Sequence, residues 1–326
     1  MKTVIFWLAL LVVTLWGALA LRVQFAQIWP LITLAAAVAL VVWARLGPGY
    51  GWWGLGLLAL GLLGWFFSLT PRQDRDWAAD VEHIVRGRIE GDLVHLENIR
   101  AFRWRDADHA AEAWTSRTID LRQITGADMI TSVWDNPDIA HLLVSFRFAE
   151  GDPLTFSVEI RREKGEKFSV LGGFFRQFEL ALIAADERDI VQWRAVPRGE
   201  EVRLYPLQLR PDQLAEVFLQ YVALGNQLNE APRWYNTALS NCTTVVWQLS
   251  KVLSRDLPLS PSLLLSGRLP EYLDGFGVLA GEGSLSDKRA AALISERARA
   301  WPESGSFSAW IRQDGKLGKQ EVTEGL

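Results

Sequence analysis

The sequence predicts an α+β domain carried on a helical membrane anchor. Three observations carry this. Met1 to Thr70 contain no Asp or Glu and only three basic residues, Lys2, Arg22 and Arg45. The middle of the chain alternates apolar and polar residues around Gly-rich turns, as half-buried strands do. Helical patterns stand before and after that region, an order that fits strands segregated from helices rather than alternating βα units.

Taking the elements in order, three apolar spans fill the anchor: Val4 to Leu21, Ile28 to Trp43 and Gly51 to Leu69. Each approaches the ~20 residues that cross a bilayer as a helix. Trp29, Trp43, Tyr50, Trp52, Trp53 and Trp65 stand at span ends, where amphipathic rings meet the headgroups. A start on the inside, with Lys2 and the amino terminus, leaves residues 71–326 outside after three crossings. The first span also reads as a signal peptide with Ala18-Leu-Ala20 as its cleavage site; two crossings then remain and the large domain still lies outside. The expected organisation is therefore a membrane anchor of two or three helices over 1–70 and a periplasmic domain over 71–326, held at a bacterial inner membrane.

The domain begins near Pro71. Val85 to Phe102 alternates around Gly91-Asp92 and reads as a hairpin. Thr115 to Leu121 is a further strand. His141 to Phe148 and Leu154 to Arg161 flank the turn Ala149-Glu-Gly-Asp-Pro153 and form a second hairpin. Phe168 to Glu187 reads as helical or mixed, Val202 to Leu207 as a strand and Pro211 to Leu228 as a helix. Leu259 to Gly277 is loop-rich with short helices, Asp287 to Arg299 a polar helix, and the end from Pro302 polar and frayed.

Outside the anchor stand 31 basic and 38 acidic residues, an ordinary acidic balance that lacks the basic face a nucleic-acid partner requires. One Cys forms no internal disulfide and no Cys-based structural zinc site. No Gly-rich phosphate loop, His-Glu-x-x-His or Gly-x-Ser-x-Gly motif occurs, so neither metal nor cofactor is expected.

Chemistry concentrates in Tyr235 to Leu253, which contains the single cysteine, Cys242. The polar run Asn236 to Thr244 leads into Val245, Val246, Leu249, Val252 and Leu253, one face of a helix. Ser240 or Asn241 is the natural N-cap, which puts Cys242 in or beside the first turn. Free N–H groups and the helix dipole there favour the thiolate and can hold an oxyanion. Asn241, Tyr235 and Thr243 are the candidates to line such a site. The competing reading makes Cys242 a small packed hydrophobe.

A nucleophilic cysteine needs a base. His83 reads as a surface residue of a helix after Trp77, His95 lies on the first hairpin, and His109 reads as a solvated residue of a charged, alanine-rich helix. His141 opens an apolar strand after the loop Trp134 to Ala140 and is the candidate base. The adjacent strand offers an orienting partner, with Glu159 the first choice and Ser157 the second. If the turn pairs Ala149 with Leu154, His141 stands opposite Arg162 and Glu159 is a diagonal neighbour. Glu159 has an alternative as a surface partner of Arg147 or Arg161.

Together these residues carry a resemblance. Asp138-Ile-Ala-His-Leu-Leu-Val-Ser-Phe-Arg-Phe148, Phe156-Ser-Val-Glu-Ile-Arg161, Phe178-Glu-Leu180, Asp186-Glu-Arg-Asp189 and Tyr235-Asn-x5-Asn-Cys-Thr-Thr244 resemble the Lnb N-terminal periplasmic domain family, over roughly Arg75 to Phe276. That family is similar to the permuted papain-like thiol enzymes of the NlpC and lecithin:retinol acyltransferase group, in which the His-bearing strand precedes the Cys-bearing helix. The resemblance implies a papain-like domain with an antiparallel sheet and a Cys-bearing helix, with Cys242 as nucleophile and His141 as base. It implies an acyltransferase or hydrolase acting through an acyl-cysteine, with the bilayer as partner and a lipid, lipoprotein or cell-wall peptide as substrate. A peptidase or amidase of the same fold group and a non-catalytic envelope protein are the alternatives.

Overall fold

The computed structural model describes residues 2–47, 49–239, 241–242 and 265–313. The chain divides into two compact units. The first comprises Met1–Ala78, Ile160–Leu180 and Pro232–Ser240; the second comprises Ala79–Glu159, Ala181–Ala231 and Asn241–Leu326.

In the first unit three helices follow one another: α1 (Lys2–Gln24), α2 (Trp29–Leu46) and α3 (Gly51–Ser68). All three are long and apolar enough to cross a membrane. Pro30 opens α2, where a missing N–H is no loss. Phe6, Leu10, Val41 and Leu55 pack the helices together, while Leu11, Leu40, Leu57 and Leu60 stay exposed, as a lipid-facing surface requires. Nearer the other end of α1, Ala20 and Phe66 pack with Phe175.

Most of the large sheet lies in the second unit. Its strands are β1 (Arg86–Glu90), β2 (Leu93–Arg100), β5 (Trp114–Asp120), β6 (Ile124–Val133), β7 (His141–Phe148), β8 (Leu154–Arg161), β9 (Glu179–Asp186) and β10 (Glu201–Pro206), with β3 (Arg103–Trp104) and β4 (Ala110–Ala111) as a separate pair. The order is β1-β2-β9-β8-β7-β6-β10, and β5 pairs β2 off this path. The expected α+β class stands, but the sheet is mixed rather than antiparallel, because β9 runs parallel to β2. The hairpin at Gly91-Asp92 forms as read, with Gly91 at φ +61°, the region a Cβ disfavours.

Several elements differ from the sequence reading. Phe168 to Glu187 contains only a one-turn helix, α4 (Val170–Phe174), followed by strand β9. Its run Leu180-Ala-Leu-Ile-Ala-Ala185 is buried on both faces, so the alternation that marks a strand is missing. Strand β6 was not legible for the same reason: Ala127 to Ser132 are all buried. His109 stands in the β3–β4 turn and not on a helix. The polar helix splits into α8 (Leu285–Ala292) and α9 (Ser295–Arg299) around buried Ile294, whose N–H joins the Val202 carbonyl. The segment after Pro302 forms α10 (Phe307–Ile311), with Phe307 and Ile311 buried.

Helices cover both faces of the sheet. On one face α6 (Pro211–Glu230) sets Phe218 against Phe146 at 5.1 Å, edge to face, and Tyr221 on Phe156 at 4.9 Å, stacked. Aromatic pairs in these geometries each contribute about 1 kcal/mol beyond area burial. On the other face α5 (Glu187–Ala195) aims acids and bases at a polar stripe of the sheet. Asp186 caps it by accepting from the Asp189 N–H. Glu187 accepts from Ser145 at 2.5 Å and from Arg312, which also reaches Asp128 at 2.7 Å. One more helix, α7 (Leu269–Gly275), brings Leu269 to a cluster of Met129, Leu142, Tyr205, Leu279 and Ala292.

Candidate active site

Three neighbouring strands build the site. The β6–β7 register sets Ser132 beside His141. The β7–β8 register sets Leu143 beside Ser157, and two residues further on the same ladder brings Glu159 beside His141. This shifts the register by three residues from the expected pairing of Ala149 with Leu154 and leaves a longer loop between the strands. The Ala149 N–H bonds the Gln123 carbonyl instead, and Phe146 takes the place opposite Leu154. Ser132, His141 and Glu159 therefore form one cross-strand row on one face, with Ser157 in the next row.

His141 Nε2 lies 2.7 Å from Ser157 Oγ and 3.2 Å from Glu159 Oε1. Ser157 Oγ donates to Glu159 Oε1 at 2.7 Å. A hydroxyl has one hydrogen and an ionised carboxylate only accepts, so Ser157 must accept from His141. Nε2 thus carries a proton, and Nδ1 is left as the basic nitrogen. His141 is also hydrogen-bonded to Cys242.

The charges behind this contact are held by their neighbours against the cost of burial. Arg194, at the end of α5, donates to Glu159 Oε1 at 2.9 Å and lies 3.4 Å from Glu200 Oε2. Glu200 in turn accepts from Ser132 and Arg198. Burial pushes the Glu159 carboxyl up, but His141 and Arg194 beside it outweigh this and hold it well below the usual carboxylate range. Burial and the Arg194 cation favour a neutral His141 ring. The Glu159 charge and the hydrogen bonds to Cys242 and Glu159 prevail and raise its pKa from 6.5 to about 9. Tyr221 is pushed above its ordinary 10 by burial, with the Cys242 charge adding to it, so its phenol stays neutral.

Cys242 is half-buried and packs against the Met129, Leu142 and Tyr205 cluster. The second unit thus holds Cys242, His141, Ser157 and Glu159, with half-buried Asn241 next to Cys242. Tyr235 belongs to the first unit, where its N–H bonds the Phe178 carbonyl. Thr243, Ser240 and the expected helix beyond Cys242 lie outside the described residues. Among the described residues, no group of three or more His, Cys, Asp or Glu is placed to hold a metal ion. The other histidines stand elsewhere. His95 bonds Thr118 and Glu90, His109 bonds Asp106, and His83 sits edge-on to Trp114.

Sequence reasoning missed Arg194, Glu200 and Ser132. Nothing in the local pattern of Gln192-Trp-Arg194 sets that arginine apart from a surface base; only the packing of α5 on the sheet does so.

Three helices long and apolar enough to cross a membrane stand ahead of the α+β domain, as in a membrane-anchored protein. Residues 110–267 match the family model of the Lnb N-terminal periplasmic domain, which supports membership of that family for this stretch of the chain. The chain is therefore anchored in the membrane with its domain in the periplasm. Comparison with curated proteins and with solved structures gives no match.

Proposed function

We propose that this domain is a thiol acyltransferase or hydrolase that works through an acyl-cysteine on Cys242, with a lipid or lipoprotein acyl group as its substrate. The observation that carries the reading is His141 held between Cys242 and the Ser157–Glu159 pair, with Arg194 keeping the carboxylate charged.

Cys242 passes its thiol proton to Nδ1 of His141. The resulting thiolate attacks an ester or amide carbonyl, an S–C bond forms, and the carbonyl electron pair moves to oxygen. Backbone N–H groups around Cys242, with the Asn241 amide, hold that oxyanion. Collapse breaks the bond to the leaving alcohol or amine, which takes the proton from Nδ1. An acceptor amine or water then gives its proton to Nδ1 and attacks the thioester, and Cys242 leaves as thiolate. Glu159 stays ionised throughout. It keeps Nε2 protonated, and so fixes Nδ1 as the acceptor, and it stabilises the imidazolium that forms.

A lipid substrate is favoured by the anchor, which keeps the domain at the bilayer. The test is intact-mass measurement on the full chain after incubation with phospholipid membranes. A hydroxylamine-labile fatty-acyl mass on the parent, absent from Cys242→Ser, supports the reading. A peptidyl mass redirects it to cell-wall peptides. A folded parent that gains no mass from either substrate, and whose thiol ignores iodoacetamide, refutes it.

A further inference from the structure

The stretch Phe168 to Phe174 has no part in the proposed chemistry, yet it displays four large apolar side chains. Phe168 is 50 % exposed, Val170 55 %, Leu171 40 % and Phe174 46 %. Lys167 to Gln177 contains no acid. Four such side chains within seven residues form an apolar cluster of the kind that marks an interaction surface.

Its surroundings say what covers it, since it belongs to the same compact unit as the three apolar helices. The Gln24 amide, on the last residue of α1, donates to the Phe175 and Arg176 carbonyls at 2.6 and 2.9 Å. Arg176 returns bonds to the Phe66 and Leu69 carbonyls at the end of α3, at 2.9 and 3.1 Å. Both helix ends lie on the periplasmic side, because the chain leaves α3 into the domain.

The Phe175 ring reaches further down. It packs with Ala20 and Phe66 and lies 6.1 Å from the Trp16 ring. At 1.5 Å per residue, Ala20 and Trp16 sit about 6 and 12 Å back from Gln24 along the helix. The segment therefore descends beside the anchor to the depth where headgroups give way to acyl chains.

The same unit also holds the residues that lead up to Cys242. Thr237 Oγ1 donates to the Val170 carbonyl at 3.0 Å. The Tyr235 ring packs on Gly173, where a Cβ would stand 2.2 Å from Thr237 Oγ1, so only glycine admits this approach. Leu239, three residues before Cys242 in the chain, is 77 % exposed.

We infer that Phe168 to Phe174 is a membrane-dipping element that inserts its apolar side chains into the periplasmic leaflet beside α1 and α3. Its occupant is the acyl-chain boundary of the bilayer. Cationic Lys167 and Arg176 at its two ends suit the headgroup level of an anionic leaflet.

The cysteine content allows a clean test that does not depend on the chemistry of Cys242. In full-length Cys242→Ser protein, a single new cysteine is introduced as Leu171→Cys, Phe174→Cys, Asp92→Cys or Leu57→Cys and carries a nitroxide. The protein is placed in vesicles of phosphatidylethanolamine and phosphatidylglycerol. Collision rates with oxygen and with a water-soluble nickel chelate are then measured. Asp92, in the β1–β2 turn, is the water reference and Leu57, on α3, the hydrocarbon reference. Labels at 171 and 174 are expected to match Leu57, with an oxygen-to-nickel ratio on the order of tenfold above Asp92. A ratio equal to that of Asp92 overturns the inference, since the face then meets water. Exclusion of both reagents overturns it too, since protein then covers the face. Both side chains already project outward while Phe175 does the anchoring, so the labels leave the buried contacts in place.

Discussion

Replacing Glu159 by Gln removes one buried negative charge and keeps the shape and an oxygen for Ser157. In the parent the His141 pKa is raised to about 9 although burial and Arg194 both oppose the charged ring. The step from 6.5 to about 9 is worth roughly 3 kcal/mol in favour of imidazolium. Without the carboxylate the opposing influences prevail, and the pKa is expected to fall below 6.5. The imidazolium partner of a Cys242 thiolate is then lost at neutral pH. The rate of Cys242 alkylation by iodoacetamide at pH 7 is expected to drop about 10- to 100-fold, following the thiolate population. The chain has one cysteine, so the label reports on this site alone. Stability follows the same charges. A raised His141 contributes fully below pH 6.5 and loses its contribution as pH rises toward about 9. Glu159, held well below 4.5, contributes above that value and loses its contribution as pH falls. The stability gap between parent and variant is therefore widest between pH 4.5 and 6.5. Superimposable alkylation profiles, or a gap that widens above pH 9, would refute the reasoning.

Five further outcomes are expected. Cys242→Ser abolishes the acyl adduct and turnover with an unchanged melting temperature, and His141→Ala slows iodoacetamide alkylation of Cys242 at neutral pH. Ser157→Ala leaves the direct 3.2 Å contact of His141 with Glu159, so turnover falls by about tenfold or less, in line with one lost hydrogen bond. Arg194→Met acts in the opposite direction to Glu159→Gln: it removes a cation that lowers the His141 pKa, and the upper limb of the alkylation profile moves to higher pH. Arg312→Met leaves Asp128 and Glu187 buried without their shared cation, and denaturant unfolding should show a loss of about 3–5 kcal/mol.

The sequence by itself marked the three apolar runs, because an acid-free apolar stretch of bilayer length stands out against the rest of the chain. It also determined the hairpins around Gly91 and the Ala149–Pro153 turn, where period-two alternation and turn residues coincide. It singled out Cys242, His141, Glu159 and Ser157 as the residues with chemistry to offer. Tertiary structure alone decided β6 and β9. A strand buried on both faces, apolar throughout as in β9 or carrying paired polar residues such as Asp128 and Ser132 as in β6, loses the alternation that would reveal it. Tertiary structure also decided the register, since the pairing of Phe146 with Leu154 depends on the Ala149 N–H finding Gln123 on another segment. The same holds for Arg194 and Glu200. A buried charge is tolerated only where opposite charge and hydrogen bonds meet it, and those partners come from strands and a helix far apart in the chain.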